Sequence, residues 1–400
     1  MDGIAAGAPP PRPLDGLRVV EVGIALAGPF AGSLLADMGA EVIKVERRDG
    51  GDPMRLLGRR KNGVQVWWGV AARNKRVVTL NLKDPEGKAL FLRLVADADV
   101  VVENYRPGVM DRLGIGWKDL SRINPRLVML SVSGFGQTGP DAGRPGFGKI
   151  AEALSGMVML TGDPADTPQH VGFSLADTSA GMMGFFAISA ALYARDCAGG
   201  SGAHIDLALY EPLFRMADCQ LALHERLGRS PLRQGGNDPY GWGAAEADGD
   251  WLPSFRCADG RWVMLLVRPE GVGKLAALVD APPNSGRDRL SAALAPWFQT
   301  RMPDDARAAL GPLDIELVPV HDGATLAEDP YFRARGDVVA TEDPVVGPVI
   351  VPGRAPRGYA GDGLRHFRDA QVAEDNADIL GHRLGLGDER LAALERAGTV

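Results

Sequence analysis

The chain has 400 residues, 45% of them apolar and 24% charged, with a net charge of −7, which predicts a soluble globular protein of two domains. The acidic balance argues against a general nucleic-acid or membrane-surface role. Three well-separated cysteines (Cys197, Cys219, Cys257) and six histidines without ligand spacing argue against a disulfide framework or a metal site and predict reduced thiols in a cytoplasmic protein.

Residues 1–13 are rich in Ala, Gly and Pro, contain Asp2 and hold no apolar core, so they read as a flexible tail rather than a signal peptide. A β-branched run over 17–22 stops at Gly23, and a small-residue helix follows over 29–38, opening on Pro29 and closing at Gly39. Strands are predicted at 41–45, 76–80, 100–102 and 127–132, with helices at 85–96 and near Lys118. Alternating apolar strands and helices predict a parallel sheet covered on both faces. Within 44–122 there are 17 Lys and Arg against 10 Asp and Glu, a basic island suited to a small phosphate-bearing ligand. A helix over 178–194 is apolar all round and belongs in a core or an extensive subunit interface; its uncharged run (180–194) is shorter than the roughly eighteen residues that span a bilayer. Residues 231–253 read as a loop or lid, 262–267 as the first strand of a smaller unit, 349–351 as a short strand, and the chain closes on a helix from about 388.

Most of the motifs have a bland alternative. The loop from Gly23 to Gly28 has the spacing G-x-x-x-x-G and fails the dinucleotide fingerprint. Residues 143–149 match G-x-x-x-x-G-K, but Ile150 stands where a P-loop needs a hydroxyl for magnesium, so a nucleotide triphosphatase is rejected. Asp177 precedes the apolar helix and suits an N-cap; the same helix end keeps a carboxylate ionised and nucleophilic. Asn74-Lys75-Arg76 and Asn104-Tyr105-Arg106 are ordinary loop sequences set at strand edges, where a ligand crevice would lie.

Taken in order, several segments resemble the class III CoA-transferase family, which includes formyl-CoA transferase, carnitine CoA-transferase and α-methylacyl-CoA racemase. They are Leu14-Asp15-Gly16-Leu17, Ala27-Gly28-Pro29, Gly39-Ala40-Glu41-Val42-Ile43-Lys44, Asn74-Lys75-Arg76, Val102-Glu103-Asn104-Tyr105-Arg106-Pro107-Gly108, Asn124-Pro125-Arg126, Gly134-Phe135-Gly136, Ala153-Leu154-Ser155-Gly156 and Leu175-Ala176-Asp177. The resemblance implies an α/β fold: a Rossmann-like large domain formed by both chain ends (14–205 and 323–400), a linker (206–224), a smaller inserted α/β domain (225–322), and an interlocked homodimer. It implies that coenzyme A is a substrate, with no tightly bound cofactor, and that the partners are an acyl-CoA and a free carboxylic acid. It makes Asp177 the acylated residue. Arg47, Asn74, Lys75, Asn104, Tyr105 and Arg112 fall where the family holds CoA, the cations suiting phosphates and Tyr105 the adenine. Ala25, Leu26, Ser133, Gly134 and Phe135 complete that set, the last two along the pantetheine arm.

Two departures narrow the activity. Racemases of the family carry a His-Asp pair where this chain has Phe147 and Gly148, so one of the two bases needed for α-proton exchange is missing. Leu26 and Ser133 stand where formyl-CoA transferase has polar or basic groups, so its substrates are not implied. The reading is a CoA-transferase acting through Asp177, with a short dicarboxylate such as succinate as substrate; the alternatives are a racemase or isomerase acting at the acyl α-carbon and a non-catalytic CoA-binding paralogue. The acid pocket is expected around Asp177, the loop over 235–253 and the partner subunit.

Overall fold

The computed structural model describes residues 12–163, 165–217, 219–228, 230, 233, 249–359 and 364–400. Six strands, β1 (Arg18–Glu21), β2 (Glu41–Glu46), β3 (Lys75–Thr79), β4 (Val100–Glu103), β5 (Val128–Ser133) and β6 (Ala203–Ala208), form one sheet in the order β3-β2-β1-β4-β5-β6. Every pairing is parallel. The strands read as continuous apolar runs because both faces are covered. Residues 100–103 of β4 and 128–133 of β5 are all buried. One face packs on α2 (Pro85–Ala96) through Leu90, Phe91 and Leu94; the other packs on α1 (Ala27–Asp37) and the long α5 (Leu175–Cys197).

The strand order reverses direction between β1 and β4. At such a point the loops leaving the two strands diverge and open a crevice at their C-terminal ends. The C-terminal part of the chain closes the far edge of the sheet. Val77 N–H donates to Asp375 Oδ2 (2.7 Å) and Thr79 N–H to Asn376 Oδ1 (2.9 Å), so β3 does not present bare donors.

The chain divides into two compact units, one from 1–157, 171–217 and 333–400, the other from 158–170 and 218–332. The smaller unit holds an antiparallel sheet of β7 (Ser254–Arg256), β8 (Trp262–Leu266) and β9 (Glu316–Val320) with β8 central. Its core joins Trp251, Phe255, Leu265, Leu294 and Phe298. The inclusion of 158–170 in this unit has no compositional mark in the sequence.

Helix α5 departs from the sequence reading in two ways. It starts three residues earlier and ends three later than 178–194, so that at 23 residues it is long and apolar enough to cross a membrane by length and composition. Its small residues instead press on α1 and on the sheet: a Cβ on Gly181 would meet Phe30 of α1 at 2.8 Å and one on Gly184 would meet Leu130 of β5 at 2.6 Å. The opposite side leaves Met182, Phe186 and Tyr193 exposed. The second departure concerns Asp177. Ser174 occupies the N-cap position, without a side-chain bond, and Asp177 lies inside the first turn.

Candidate active site

A cavity of about 400 Å³ lies across the C-terminal ends of β1, β2, β3 and β4. Gly23 and Ile24 line it after β1, Arg47 and Arg48 after β2, Asn81 and Lys83 after β3, and Tyr105 after β4. The basic island of the sequence therefore supplies three cations to one crevice, against Glu46, Asp49 and Asp52 in the same lining. Arg48 and Lys83 were missed by the sequence reading. The available signal was position, since Lys83 follows β3 as Arg47 follows β2.

Of the predicted CoA contacts, Arg47 and Tyr105 line this cavity. Arg47 is exposed, and its guanidinium donates to Gly51 O at 3.4 Å. Arg112 is exposed on the short helix α3 (Val109–Leu113), whose Val109 and Leu113 reach the cavity. Asn104 acts on the loop after β1: Ile24 N–H donates to its Oδ1 (2.7 Å), and its Nδ2 donates to Ile24 O (2.9 Å). Space there is tight, since a Cβ on Gly23 would meet Asn104 Oδ1 at 2.8 Å.

Asn74 and Lys75 are not brought to the cavity. Asn74 precedes β3 and Lys75 opens it, at the opposite end of the strand from the crevice. Asn74 has φ 61° and bonds Asp37 Oδ1 (3.0 Å) and the Arg365 backbone. The Lys75 side chain is 1% exposed, with Nζ 2.8 Å from Glu21 Oε2 and 2.7 Å from Pro29 O. Burial lowers its pKa, with Glu21 opposing. A phosphate cannot reach an ammonium so enclosed. Local sequence did not reveal this because Glu21 and Lys75 are neighbours only through the sheet.

Lys75 belongs to a buried ionic network that supports the crevice loop. Lys44 Nζ lies 2.8 Å from Glu21 Oε1 and 2.7 Å from Asp52 Oδ2, and donates to Gly23 O (3.0 Å). Burial works against the Lys44 charge, but Glu21, Asp52 and Glu46 overcome it and raise its pKa. Asp52 Oδ1 in turn accepts from Ala25 N (2.9 Å) and Met54 N (2.7 Å). These bonds hold Ala25 at φ 57°, a left-handed conformation that a non-glycine residue adopts only at a cost. Leu26 is buried with Met54, Trp68 and Val77.

The second half of the site surrounds Asp177. Gly134, directly after β5, packs so closely on Gly146 that a Cβ on it would lie 2.7 Å from Gly146 Cα. Phe135 carries the Arg144 guanidinium over its ring at 4.9 Å. Ser133 is buried, and its hydroxyl has no hydrogen-bond partner among the described residues. Two residues beyond Gly146, Gly148 opens α4 (Gly148–Leu154). A Cβ built on Gly148 would collide with Asp177 Oδ2. Ser133, Gly134 and Phe135 thus lead to Asp177 through a wall of glycines, and the position that carries the racemase acid has no room for a side chain.

Burial pushes the Asp177 carboxyl from 3.8 up to about 6; Glu152 adds to the rise, while Lys149 and the Asp177 backbone N–H oppose it. At neutral pH it is mostly ionised, a carboxylate held with little solvation. The loop over 235–253, expected near it, lies outside the described residues from 235 to 248.

A Rossmann-ordered sheet with a cation-lined crevice at the ends of its strands is the architecture of an α/β protein suited to a phosphate-bearing ligand. The profile of CoA-transferase family III matches residues 14–366. The chain is 35% identical to the succinyl-CoA–D-citramalate CoA-transferase of Chloroflexus aurantiacus, over 96% of this chain and 98% of that one. It is 34% identical to the succinyl-CoA–L-malate CoA-transferase beta subunit from the same organism (95% and 96% covered) and 29% identical to human succinyl-CoA:glutarate CoA-transferase (97% and 90%). Among solved structures, a CAIB/BAIF family protein from Brucella suis superposes with a TM-score of 0.81 at 31% identity, covering 93% of this chain and 99% of that one. The chain belongs to CoA-transferase family III and is an enzyme of that class.

Proposed function

We propose that the protein moves CoA from succinyl-CoA to a short dicarboxylic acid through covalent intermediates on Asp177. The observation that carries this reading is the Asp177 carboxylate: desolvated, set in the first turn of α5, and pressed against Gly148. Asp177 attacks the thioester carbonyl, the C–S bond breaks, and CoA thiolate leaves a mixed anhydride. The thiolate then attacks the Asp177 acyl carbon, forming an aspartyl-CoA thioester and releasing the donor acid. The acceptor carboxylate displaces the thiolate from that thioester, giving a second anhydride. Attack by the thiolate on the acceptor acyl carbon yields the new acyl-CoA and restores Asp177. Backbone N–H groups at the start of α5 are suited to the oxyanions formed at each attack.

Arg47, Arg48 and Lys83 hold the CoA phosphates in the crevice, with Tyr105 against the adenine. Asn104 and Ala25 shape the loop over which the pantetheine passes, and Ser133, Gly134 and Phe135 guide its thiol end towards Asp177. Succinyl-CoA as donor is supported by relatives at 34–35% identity over nearly the whole chain that are named for it, with citramalate and malate as their other acids. The exposed Met182, Phe186 and Tyr193 side of α5 supports an interlocked homodimer, and the free thiols a cytoplasmic setting. The test is a covalent trap. The protein is incubated with succinyl-CoA and a panel of other acyl-CoAs, quenched with hydroxylamine and mapped by mass spectrometry. A hydroxamate on Asp177, absent in Asp177→Ala, is expected; unmodified peptides with CoA still bound would refute the covalent reading.

A further inference from the structure

The motif rejected as a P-loop contains a lysine with a different task. Lys149 and Glu152 lie one turn apart on α4, and the Lys149 ammonium is 3.0 and 2.9 Å from the two Glu152 oxygens. The same ammonium donates to Val171 O (2.9 Å) and Phe173 O (2.6 Å). Those carbonyls belong to the segment that enters α5 just before Asp177. Glu152 is 1% exposed, and Gly148, on the preceding turn of α4, touches the Asp177 carboxylate. One cation therefore joins the helix beneath the nucleophile to the turn that delivers it, while holding a buried anion alongside.

Among the described residues, the other elements packed on α5 offer no comparable charge. On α1 the titratable side chain is Asp37, bound to Arg73 at 2.5 Å, and β5 has none. On β6, His204 meets Ser131 (3.0 Å) and Asp206 accepts from Gln137 N (2.7 Å). On the helix Glu211–Met216, Glu211 accepts from Ala208 N (2.7 Å), and Arg215 stands one turn further on.

We propose that Lys149 and Glu152 are paired positioning residues that set, with opposite signs, the ionised fraction of Asp177, Lys149 also fixing the turn that presents it. This rests on Asp177 as the nucleophile. Glu152 repels charge on Asp177 and Lys149 attracts it, and the salt bridge between them keeps the two effects in balance.

The test is ¹³C NMR of the full-length protein labelled with [4-¹³C]aspartate, the Asp177 signal being the one missing from Asp177→Asn. Lys149→Met is expected to move its titration midpoint up by about one pH unit, and Glu152→Gln to move it down by about as much; Lys149→Arg restores the wild-type midpoint. Unmoved midpoints, or shifts of the same sign, would reduce the pair to a structural staple and overturn the proposal. Should Lys149→Met not fold, the nearly isosteric Glu152→Gln decides alone. Hydroxylamine trapping with succinyl-CoA on the same samples separates the premise from the proposal. Opposed shifts without a hydroxamate would remove Asp177 as nucleophile yet leave the tuning; a hydroxamate with unmoved midpoints would do the reverse.

Discussion

Replacing Asp177 by Asn tests whether the site stores instability to keep its nucleophile reactive. In the folded protein the carboxyl sits at about 6 instead of 3.8. The native state therefore binds the proton more tightly than the unfolded chain, and native stability falls as pH rises between those values. A rise of about two units at about 1.4 kcal/mol each amounts to ~3 kcal/mol, and partial exposure of the group reduces it to about 2 kcal/mol. Asp177→Asn keeps the shape and removes the charge. It is expected to abolish hydroxamate formation and to be more stable than the wild type by about 2 kcal/mol at pH 8, the difference vanishing near pH 4. The assay is thermal unfolding followed by circular dichroism across that range, with CoA binding by calorimetry as the control for an intact crevice. A variant that is less stable at pH 8, or equally displaced at pH 4 and pH 8, would refute the claim that burial strains this carboxylate.

The other expectations concern the surrounding wall and crevice. Gly148→Ala forces the Asp177 carboxylate aside and is expected to slow trapping by about tenfold or more while CoA binding persists; normal turnover would show that the close approach is not required. Arg47→Ala should weaken CoA by about 1–3 kcal/mol in calorimetry without loss of stability, and Arg112→Ala should weaken it on the same scale; an unchanged Kd in either would move the phosphates elsewhere. Lys75→Met leaves part of Glu21 unpaired in the interior and should cost about 3 kcal/mol of stability. A stable variant with weakened CoA binding would restore Lys75 as a ligand.

The sheet was legible from the sequence because parallel strands buried on both faces must be continuous apolar runs. The 85–96 helix carries its own start signals too: Pro85 follows Asp84, whose Oδ1 accepts from Glu86 N at 2.9 Å. The family resemblance was equally visible, being local strings in fixed order. Which cation faces the crevice was not. Asn74-Lys75-Arg76 and Lys83 look alike as text; they differ only because β3 runs from one end of the sheet to the other, placing Lys75 under Pro29 and Lys83 at the cavity. Gly148 read as a missing base, and only packing revealed it as the surface against which Asp177 rests. Lys149 read only as the lysine of a failed P-loop, and the fold alone set it between Glu152 and the carbonyls of Val171 and Phe173. A sequence states residue type and spacing along one strand or helix, whereas the electrostatics of a nucleophile are set by groups tens of residues away, and tertiary structure alone decides which of them meet.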